Sequence, residues 1–451
     1  MPCLYKTNIN QQPEPDMLYY LFDWLHGLNF PGAGLFHYIS FRAVCALALS
    51  FLITLLAGKP VIEILRKKTR GEEERDLGLP GQENKAATPK MGGILIIVSL
   101  LIPVLLFNKL DNIYVLLMIF TTLWLGALGF ADDYIKCVKH NKDGISEKTK
   151  LLGQIVLGIV VGVVMYFHPA VGIKENYSLP KQVTTADEMF TISKTDANIA
   201  PAKQAATPAV HSTKTTIPFV KNHEFNYAWF TRWLGDLDGK WSFLFYIPIV
   251  VFILTAVSNG ANLTDGMDGL VTGVSAPIAV GIAVLAYVSG NVVFADYLNI
   301  MYIPNISELV VFVSALVGAL IGFYWWNCYP AKVFMGDVGS LTLGGIIAVS
   351  CIIIRKELLI PLLCGVFLIE ACSVLIQRAY FKYTKKKTGV GKRVFIMTPL
   401  HHHYQKQAVP DQPVIFSHKG KPVLHESTIT QRMILISIIC VVLAIITLKI
   451  R

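Results

Sequence analysis

Ten apolar stretches, each long enough to cross about 30 Å of hydrocarbon, recur along the 451 residues of this chain. They lie near 39–58, 92–108, 113–131, 152–168, 243–260, 269–289, 308–325, 339–354, 358–380 and 431–449. Inside lipid every backbone N–H and C=O needs an internal partner, so runs of this length read as spanning helices. The predicted fold class is all-α, a polytopic integral membrane protein of about ten transmembrane helices. Composition agrees: 53% of residues are hydrophobic and 16% charged, against about 25% charged in a soluble domain. Mean hydropathy is +0.52.

The net charge of +10 is spread over short loops and forms no basic domain, which argues for a lipid bilayer and anionic substrates as partners and against nucleic acid. One set of loops holds Arg66, Lys67, Lys68, Arg70, Arg75, Lys85 and Lys90, then Lys136, Lys139, Lys142, Lys148 and Lys150, then Lys382, Lys385, Lys386, Lys387, Lys392 and Arg393. The positive-inside rule makes that set cytoplasmic. The opposite set has a turn around Lys109, the segment 290–307 without Lys or Arg, and a turn at Arg355 and Lys356. An even number of spans then puts both termini in the periplasm.

Three regions follow: helices one to four within 1–168, a periplasmic insert over 169–241, and helices five to ten within 242–451. The insert is rich in Thr, Ala, Lys and Pro, and much of it is expected to be disordered or peripheral. Eight cysteines are scattered without CxxC or Cys/His spacing, so neither a disulfide framework nor a zinc site is expected. The opening MPCLYKTNINQQPEPD lacks the basic and apolar regions of a signal peptide, leaving insertion to the spanning helices.

Five polar motifs fall on the side assigned to the cytoplasm. Lys85–Gly93 (KAATPKMGG) brings cations, a proline that sets the start of the second helix and two glycines that admit a close neighbour. A basic juxtamembrane loop has the same composition. GFADDYIK closes the third helix with Asp132 and Asp133, and Lys136 follows. Adjacent carboxylates at a membrane boundary repel one another and oppose the negative helix end, so they need a metal, a proton-transfer role or hydrogen-bond donors.

NLTDGMDGL (Asn262–Leu270) sets Asp265 and Asp268 among Gly266 and Gly269, a turn suited to a ligand but lacking the closing Glu of an EF-hand. NCYPAKVFMGDVGSLTLGG (Asn327–Gly345) places Asp337 at a helix N-terminus, which suits an N-cap or phosphate oxygens. In the same motif Asn327 and Phe334 offer an amide and a ring to a planar base, or simple packing. PLHHHYQ carries His401, His402 and His403; three successive residues do not face one point, so joint chelation of a metal is not expected. Within the ninth helix Glu370 and Gln377, seven apart, share a face, and Glu370 is expected to hydrogen-bond structurally. Lys148, Lys150 and Gln154 lead into the fourth helix. Hard carboxylate oxygens suit Mg2+ and lysines suit phosphate, a combination able to join a soluble phosphorylated donor to a lipid acceptor.

Taken in order, TPKMGG, GFADDYIK, NLTDGMDGL, NCYPAKVFMGDVGS and PLHHHYQ resemble the signatures of the phospho-N-acetylmuramoyl-pentapeptide transferase family, within the polyprenyl-phosphate sugar-1-phosphate transferase superfamily. The resemblance spans roughly 40–450, the insert excepted. It implies an enzyme of the bacterial inner membrane with its site on the cytoplasmic face. The implied reaction is Mg2+-dependent transfer of phospho-MurNAc-pentapeptide from UDP-MurNAc-pentapeptide to undecaprenyl phosphate. Its products are undecaprenyl-diphospho-MurNAc-pentapeptide (lipid I) and UMP, in peptidoglycan synthesis. A homodimer is implied as well.

Carried over by position, the resemblance makes Asp337 and Asp268 the metal ligands, with Asp268 also a catalytic residue that shapes the nucleotide and metal pocket. Asp132 and Asp133 become the acidic pair near the metal and the lipid phosphate, with Asp132 the candidate base. Asn262, Asn327 and Phe334 match the nucleotide pocket, Phe334 as a stacking surface for uracil, and Lys85, Lys136 and Lys150 match diphosphate-binding positions. His401 and His402 are the favoured catalytic histidines, and His403 is placed at the substrate. Lys90, where TPTMGG is commoner, and Gln405, where an acid often follows HHHY, depart from the pattern at motif edges. Direct attack by the lipid phosphate and a path through a phosphorylated aspartate both fit these residues. Rival readings are a sister enzyme transferring GlcNAc-1-phosphate, opposed by the HHHY triplet; a transporter, opposed by acids at the rim instead of the midplane; and a scaffold, which needs no paired acids.

Overall fold

The computed structural model describes residues 22, 25, 27–28, 32–68, 88–139, 141, 144–173, 213–217, 224–232, 240–298, 300–407, 414–416 and 423–449. Lys85 and most of the insert lie outside the described residues. Helices form where the apolar windows predict them: α1 (Ile39–Lys68), α2 (Gly93–Phe107), α3 (Ile113–Cys137), α4 (Glu147–Phe167), α5 (Phe243–Thr264), α6 (Leu270–Ser289), α7 (Ser307–Asn327) and α8 (Gly336–Ile353). The ninth window holds a short helix, Glu357–Leu363, and α9 (Gly365–Thr388), and the tenth is α10 (Glu426–Ile446). Among the described residues eight helices are long and apolar enough to cross a membrane alone. The broken pair makes a ninth, and α2, with 15 residues, is a shorter apolar helix.

Several boundaries differ from the sequence reading: the first helix, expected over 39–58, runs on to Lys68, and the ninth, expected to end near 380, runs to Thr388. The ninth span, expected to be continuous over 358–380, bends by 82° between Glu357–Leu363 and Gly365–Thr388. The third helix continues past 131 to Cys137, so Asp132, Asp133 and Lys136 are inside it. Asp132 and Lys136 are one turn apart and pair, which removes the charge that would otherwise end an apolar helix.

α8 is the most enclosed span, with 89% of its window buried, and it packs between α3 and α5. α7 packs on α1 and α6, α4 on α5, and α10 on α6. One buried ion pair crosses the interior: Arg42 on α1 meets Glu308 on α7 through two hydrogen bonds of 2.8 and 2.7 Å. Arg42 also donates to the Phe107 carbonyl, and Glu308 accepts the Lys109 N–H, tying the ends of three helices together.

The two small sheets each have two strands. β1 (Lys214–Thr216) and β2 (Glu224–Asn226), both from the insert, pair antiparallel and cover the turn Arg355–Glu357 beyond the far end of α8. β3 (Arg393–Phe395) and β4 (Val414–Phe416) pair in parallel after α9 and flank the short helix Leu400–Gln405 that carries the three histidines.

Candidate active site at one rim of the bundle

α3 delivers Asp132 and Asp133 to the rim where α8 begins with Asp337. One oxygen from each of these three carboxylates lies within 4.8 Å of the other two. Like charges this close need neutralising. Lys136, one turn after Asp132, reaches Asp132 Oδ2 and, at 3.1 Å, Asp337 Oδ2. Lys150, from the first turn of α4, bridges the same two acids at 2.6 Å each. Three carboxylates thus share two ammonium groups.

Backbone donors and an amide complete the arrangement. The Ile145 N–H donates to Asp132 Oδ1 at 2.7 Å, and the Val338 N–H, in the first turn of α8, donates to Asp133 Oδ2 at 3.0 Å. Asn262, near the end of α5, donates its amide to Asp337 Oδ1 at 2.8 Å and to Ser340 Oγ at 3.0 Å. Gly336 makes this closure possible. Its φ is +72°, and a Cβ there would stand 2.4 Å from Asp133 Oδ2. The TPKMGG segment braces the same corner, with Pro89 accepting from the Phe334 N–H and Gly92 and Gly93 donating to the Phe334 and Met335 carbonyls. Phe334 is half-buried at that junction.

Asp132, Asp133, Asp337, Lys136, Lys150 and Asn262 thus converge. Asp268, three residues beyond Asp265, turns the other way: it is buried, and its Oδ2 accepts the Ala331 N–H at 2.9 Å. The group of three acids close enough to share an ion does not include it. Its backbone N–H donates to Glu426 on α10 and its carbonyl accepts from Thr430, so it fixes the turn between α5 and α6. Asn327 is likewise engaged, donating to the Val333 carbonyl and accepting from Thr272. It holds the loop that carries Phe334.

His401 and His402 are buried and lie against Gly266, with both Nε2 atoms on its side. His402 pairs with Gln405 through Nδ1 at 3.1 Å. His403 faces β3, accepting the Ile396 N–H on Nδ1 at 3.2 Å and setting its ring edge to Phe395.

Sequence reasoning named Asp265 in its turn but gave it no role at the site. It follows α5 immediately, and burial together with the neighbouring Asp337 and Asp133 carboxylates pushes it well above the usual carboxylate range, against the opposing Gly336 N–H. The available signal was its i, i+3 relation to Asn262, which puts both on one side of the α5 terminus. Glu426, which anchors Asp268 across 158 positions, had no sequence signal beyond an acid at a helix start.

Three carboxylates within 4.8 Å fit a hard dication: a point equidistant from them is about 2.8 Å from each, and Mg2+ takes oxygens at roughly 2.1 Å, a contraction within reach of small rotations. Two bridging ammonium groups on the same oxygens mark a place where positive charge is required.

Fold and site define the class: a polytopic α-helical membrane protein with a lysine-bridged carboxylate centre at one rim. Comparison narrows it. Residues 204–355 match Glycosyl transferase family 4. Across 96% of this chain and the full length of each relative, identity is 53% to the phospho-N-acetylmuramoyl-pentapeptide-transferase of Parabacteroides distasonis, 50% to that of Flavobacterium johnsoniae and 51% to that of Porphyromonas gingivalis. The chain belongs to the phospho-N-acetylmuramoyl-pentapeptide-transferase family.

Proposed function

We propose that this chain transfers phospho-MurNAc-pentapeptide from UDP-MurNAc-pentapeptide to undecaprenyl phosphate, releasing UMP and leaving lipid I in the membrane. The observation that carries the reading is the trio Asp132, Asp133 and Asp337, bridged by Lys136 and Lys150, in a chain of this family. The basic loops assign the rim to the cytoplasmic face of the inner membrane and both termini to the other side. On that assignment the insert over 169–241 is periplasmic, between two groups of helices.

The reaction joins two anions, a lipid phosphate and the β-phosphate of a nucleotide sugar, so charge must be neutralised before the oxygen of one reaches the phosphorus of the other. Lys136 and Lys150 supply two ammonium groups that exchange carboxylate oxygens for phosphate oxygens. Asp132, Asp133 and Asp337 would hold Mg2+, which when bound supplies Lewis-acid stabilisation of the diphosphate. Asp132 is the candidate acceptor of the lipid phosphate's proton. Its Oδ1 accepts from the Ile145 N–H and its Oδ2 from both lysines, which fixes the carboxylate beside the place where the lipid phosphate would be held. Asn262 orients Asp337. Phe334 and Asp268 flank the loop proposed to receive the uridine, and His401 and His402 face the turn beside Asp265.

The test is UMP release by the purified protein in detergent with UDP-MurNAc-pentapeptide, undecaprenyl phosphate and Mg2+, comparing wild type with Asp337→Asn. Lipid-dependent release that is lost in the variant supports the proposal. Turnover with UDP-GlcNAc alone moves the chain to the sister reaction, and inactivity of folded wild type with both donors rejects transfer.

A further inference from the structure

α9 presents two buried or half-buried polar side chains on one face, Glu370 and Gln377. Gln377 pins β3: its Oε1 accepts the Val394 and Phe395 N–H groups at 2.9 and 3.0 Å, and its Nε2 donates to the Phe395 carbonyl at 3.1 Å. β3 leads directly into the histidine helix, and Glu370 meets that helix at its first histidine. Glu370 Oε2 accepts the His401 N–H at 3.3 Å and stands 3.2 Å from His401 Nδ1. Both side chains are completely buried.

A buried imidazole must satisfy its one N–H. Among the described residues neither ring nitrogen of His401 has an aligned hydrogen-bond partner, and Oε1 of Glu370 lacks one too. The carboxylate within 3.2 Å of Nδ1 therefore claims the proton after a small ring rotation. Nε2 is left on the opposite side of the ring, pressed on the Gly266 turn so closely that a Cβ at Gly266 would stand 2.3 Å from it. Gly266 adjoins Asp265, which is electrostatically coupled to Asp133 and Asp337.

We infer that Glu370 is a positioning residue for His401: it holds the Nδ1–H tautomer and aims the Nε2 lone pair at the turn beside the acidic cluster. The carboxylate also stabilises the imidazolium whenever Nε2 takes a proton. The order carboxylate, imidazole, reacting group is the general one by which a buried acid fixes which imidazole nitrogen is available. The inference rests on the reading of this rim as the transfer site, with His401 part of it.

The experiment is a double-mutant cycle on the full chain in detergent, following UMP release with both substrates and Mg2+. Glu370→Leu lowers kcat by about 10–100-fold, the usual effect of removing a carboxylate behind a functional histidine, with KM for the nucleotide donor changed less than about twofold. Glu370→Gln, which keeps an acceptor oxygen, recovers most of the loss. In a His401→Ala background neither substitution adds to the defect, because coupled residues are non-additive. Equal losses with and without His401 reduce Glu370 to a structural role and overturn the inference while the transfer reading stands. A silent His401→Ala removes His401 from the site and the inference with it. Where His401→Ala turns over too slowly for the cycle, nitrogen-15 shifts of labelled histidine decide. One Nδ1–H signal is expected in wild type that vanishes in His401→Ala and converts to Nε2–H in Glu370→Leu. An unchanged tautomer in Glu370→Leu overturns the inference.

Discussion

Lys150 occupies the two oxygens that a dication at this rim would want. It lies 2.6 Å from Asp132 Oδ2 and 2.6 Å from Asp337 Oδ2, and its side chain is 20% exposed. An ion taking those oxygens must first displace the ammonium. A hydrogen bond to a charged group contributes about 1.5–3 kcal/mol; two at the lower end, roughly halved because the displaced lysine regains water, give about 1.5 kcal/mol. Lys150→Met removes that competition, and the dissociation constant for Mg2+ should fall about tenfold. Turnover should move the other way by about 100-fold, since the phosphates lose an oriented cation. Calorimetric titration of Mg2+ into the detergent-solubilised protein without substrates reads the first quantity, and UMP release at saturating Mg2+ reads the second. Lys148→Met, an exposed charge two residues earlier and on the opposite side of the same helix, should alter neither. Unchanged or weaker Mg2+ binding by Lys150→Met would refute the idea that lysine and metal share these oxygens.

Three further outcomes follow from the geometry. Gly336→Ala forces an L side chain into φ +72° with its Cβ 2.4 Å from Asp133 Oδ2; a cost of about 1–2 kcal/mol from the backbone alone should appear as a lowered thermal midpoint together with a collapse of transfer activity. Arg42→Met strands the buried Glu308 carboxylate and should destabilise the protein by about 3–5 kcal/mol, whereas Arg42→Met with Glu308→Leu should recover most of that loss in the same thermal assay. Burial holds the Lys356 ammonium down at about 8, against the partial opposition of Glu357. The unfolded lysine keeps its proton to about 10.4, so the unfolded chain binds more protons between about 8 and 10.4 and stability rises with pH across that window, by roughly 3 kcal/mol in all. Lys356→Met should abolish the rise and stabilise the protein at neutral pH; identical pH profiles for the two proteins would contradict the assignment.

Most spans were legible because hydrocarbon thickness sets one length scale, which eight helices meet alone. Their ends were less so. Ending the third helix near 131 assumes that paired acids seek water, but Lys136 and Lys150 neutralise Asp132 within the bundle and the helix runs on. The 82° break in the ninth span falls at Cys364, flanked by Pro361 and Gly365. Both residue types are common within membrane helices, so neither signals a break by itself. At the site, residue type announced the carboxylates, the lysines and the histidines, but the turn that follows α5 decides which acid meets which neighbour. Asp265 and Asp268 belong to one motif, but the helix ends at Thr264 and the irregular turn that follows sets the two acids against different neighbours. No spacing rule written for regular helices reaches across such a turn.

The insert illustrates the opposite case, a segment whose composition argues against order and part of which is nevertheless built into the bundle. Beyond the last turn of α8, Arg355, Lys356 and Glu357 are all nearly inaccessible to solvent. Ionisable groups so enclosed need polar partners, and α8 itself, apolar along its length, provides none. The hairpin and the residue after it serve two of them, Thr216 accepting from Lys356 Nζ at 2.6 Å and Tyr227 donating to Glu357 Oε1 at 3.1 Å, while the Arg355 guanidinium donates to the Tyr246 hydroxyl of α5 at 3.3 Å and its carbonyl accepts from the Thr215 hydroxyl and the Thr216 N–H. Hydroxyl-bearing residues that look like loop filler in the sequence are thus the counterparts of a charged turn more than a hundred positions away. Because α8 carries Asp337 at its other end, the same helix that orders the carboxylate centre is secured by polar pairing at one terminus and by lysine bridges at the other. A hairpin in this position belongs to the folding unit of the bundle, since without it three buried polar groups at the end of the most enclosed helix would lose their partners.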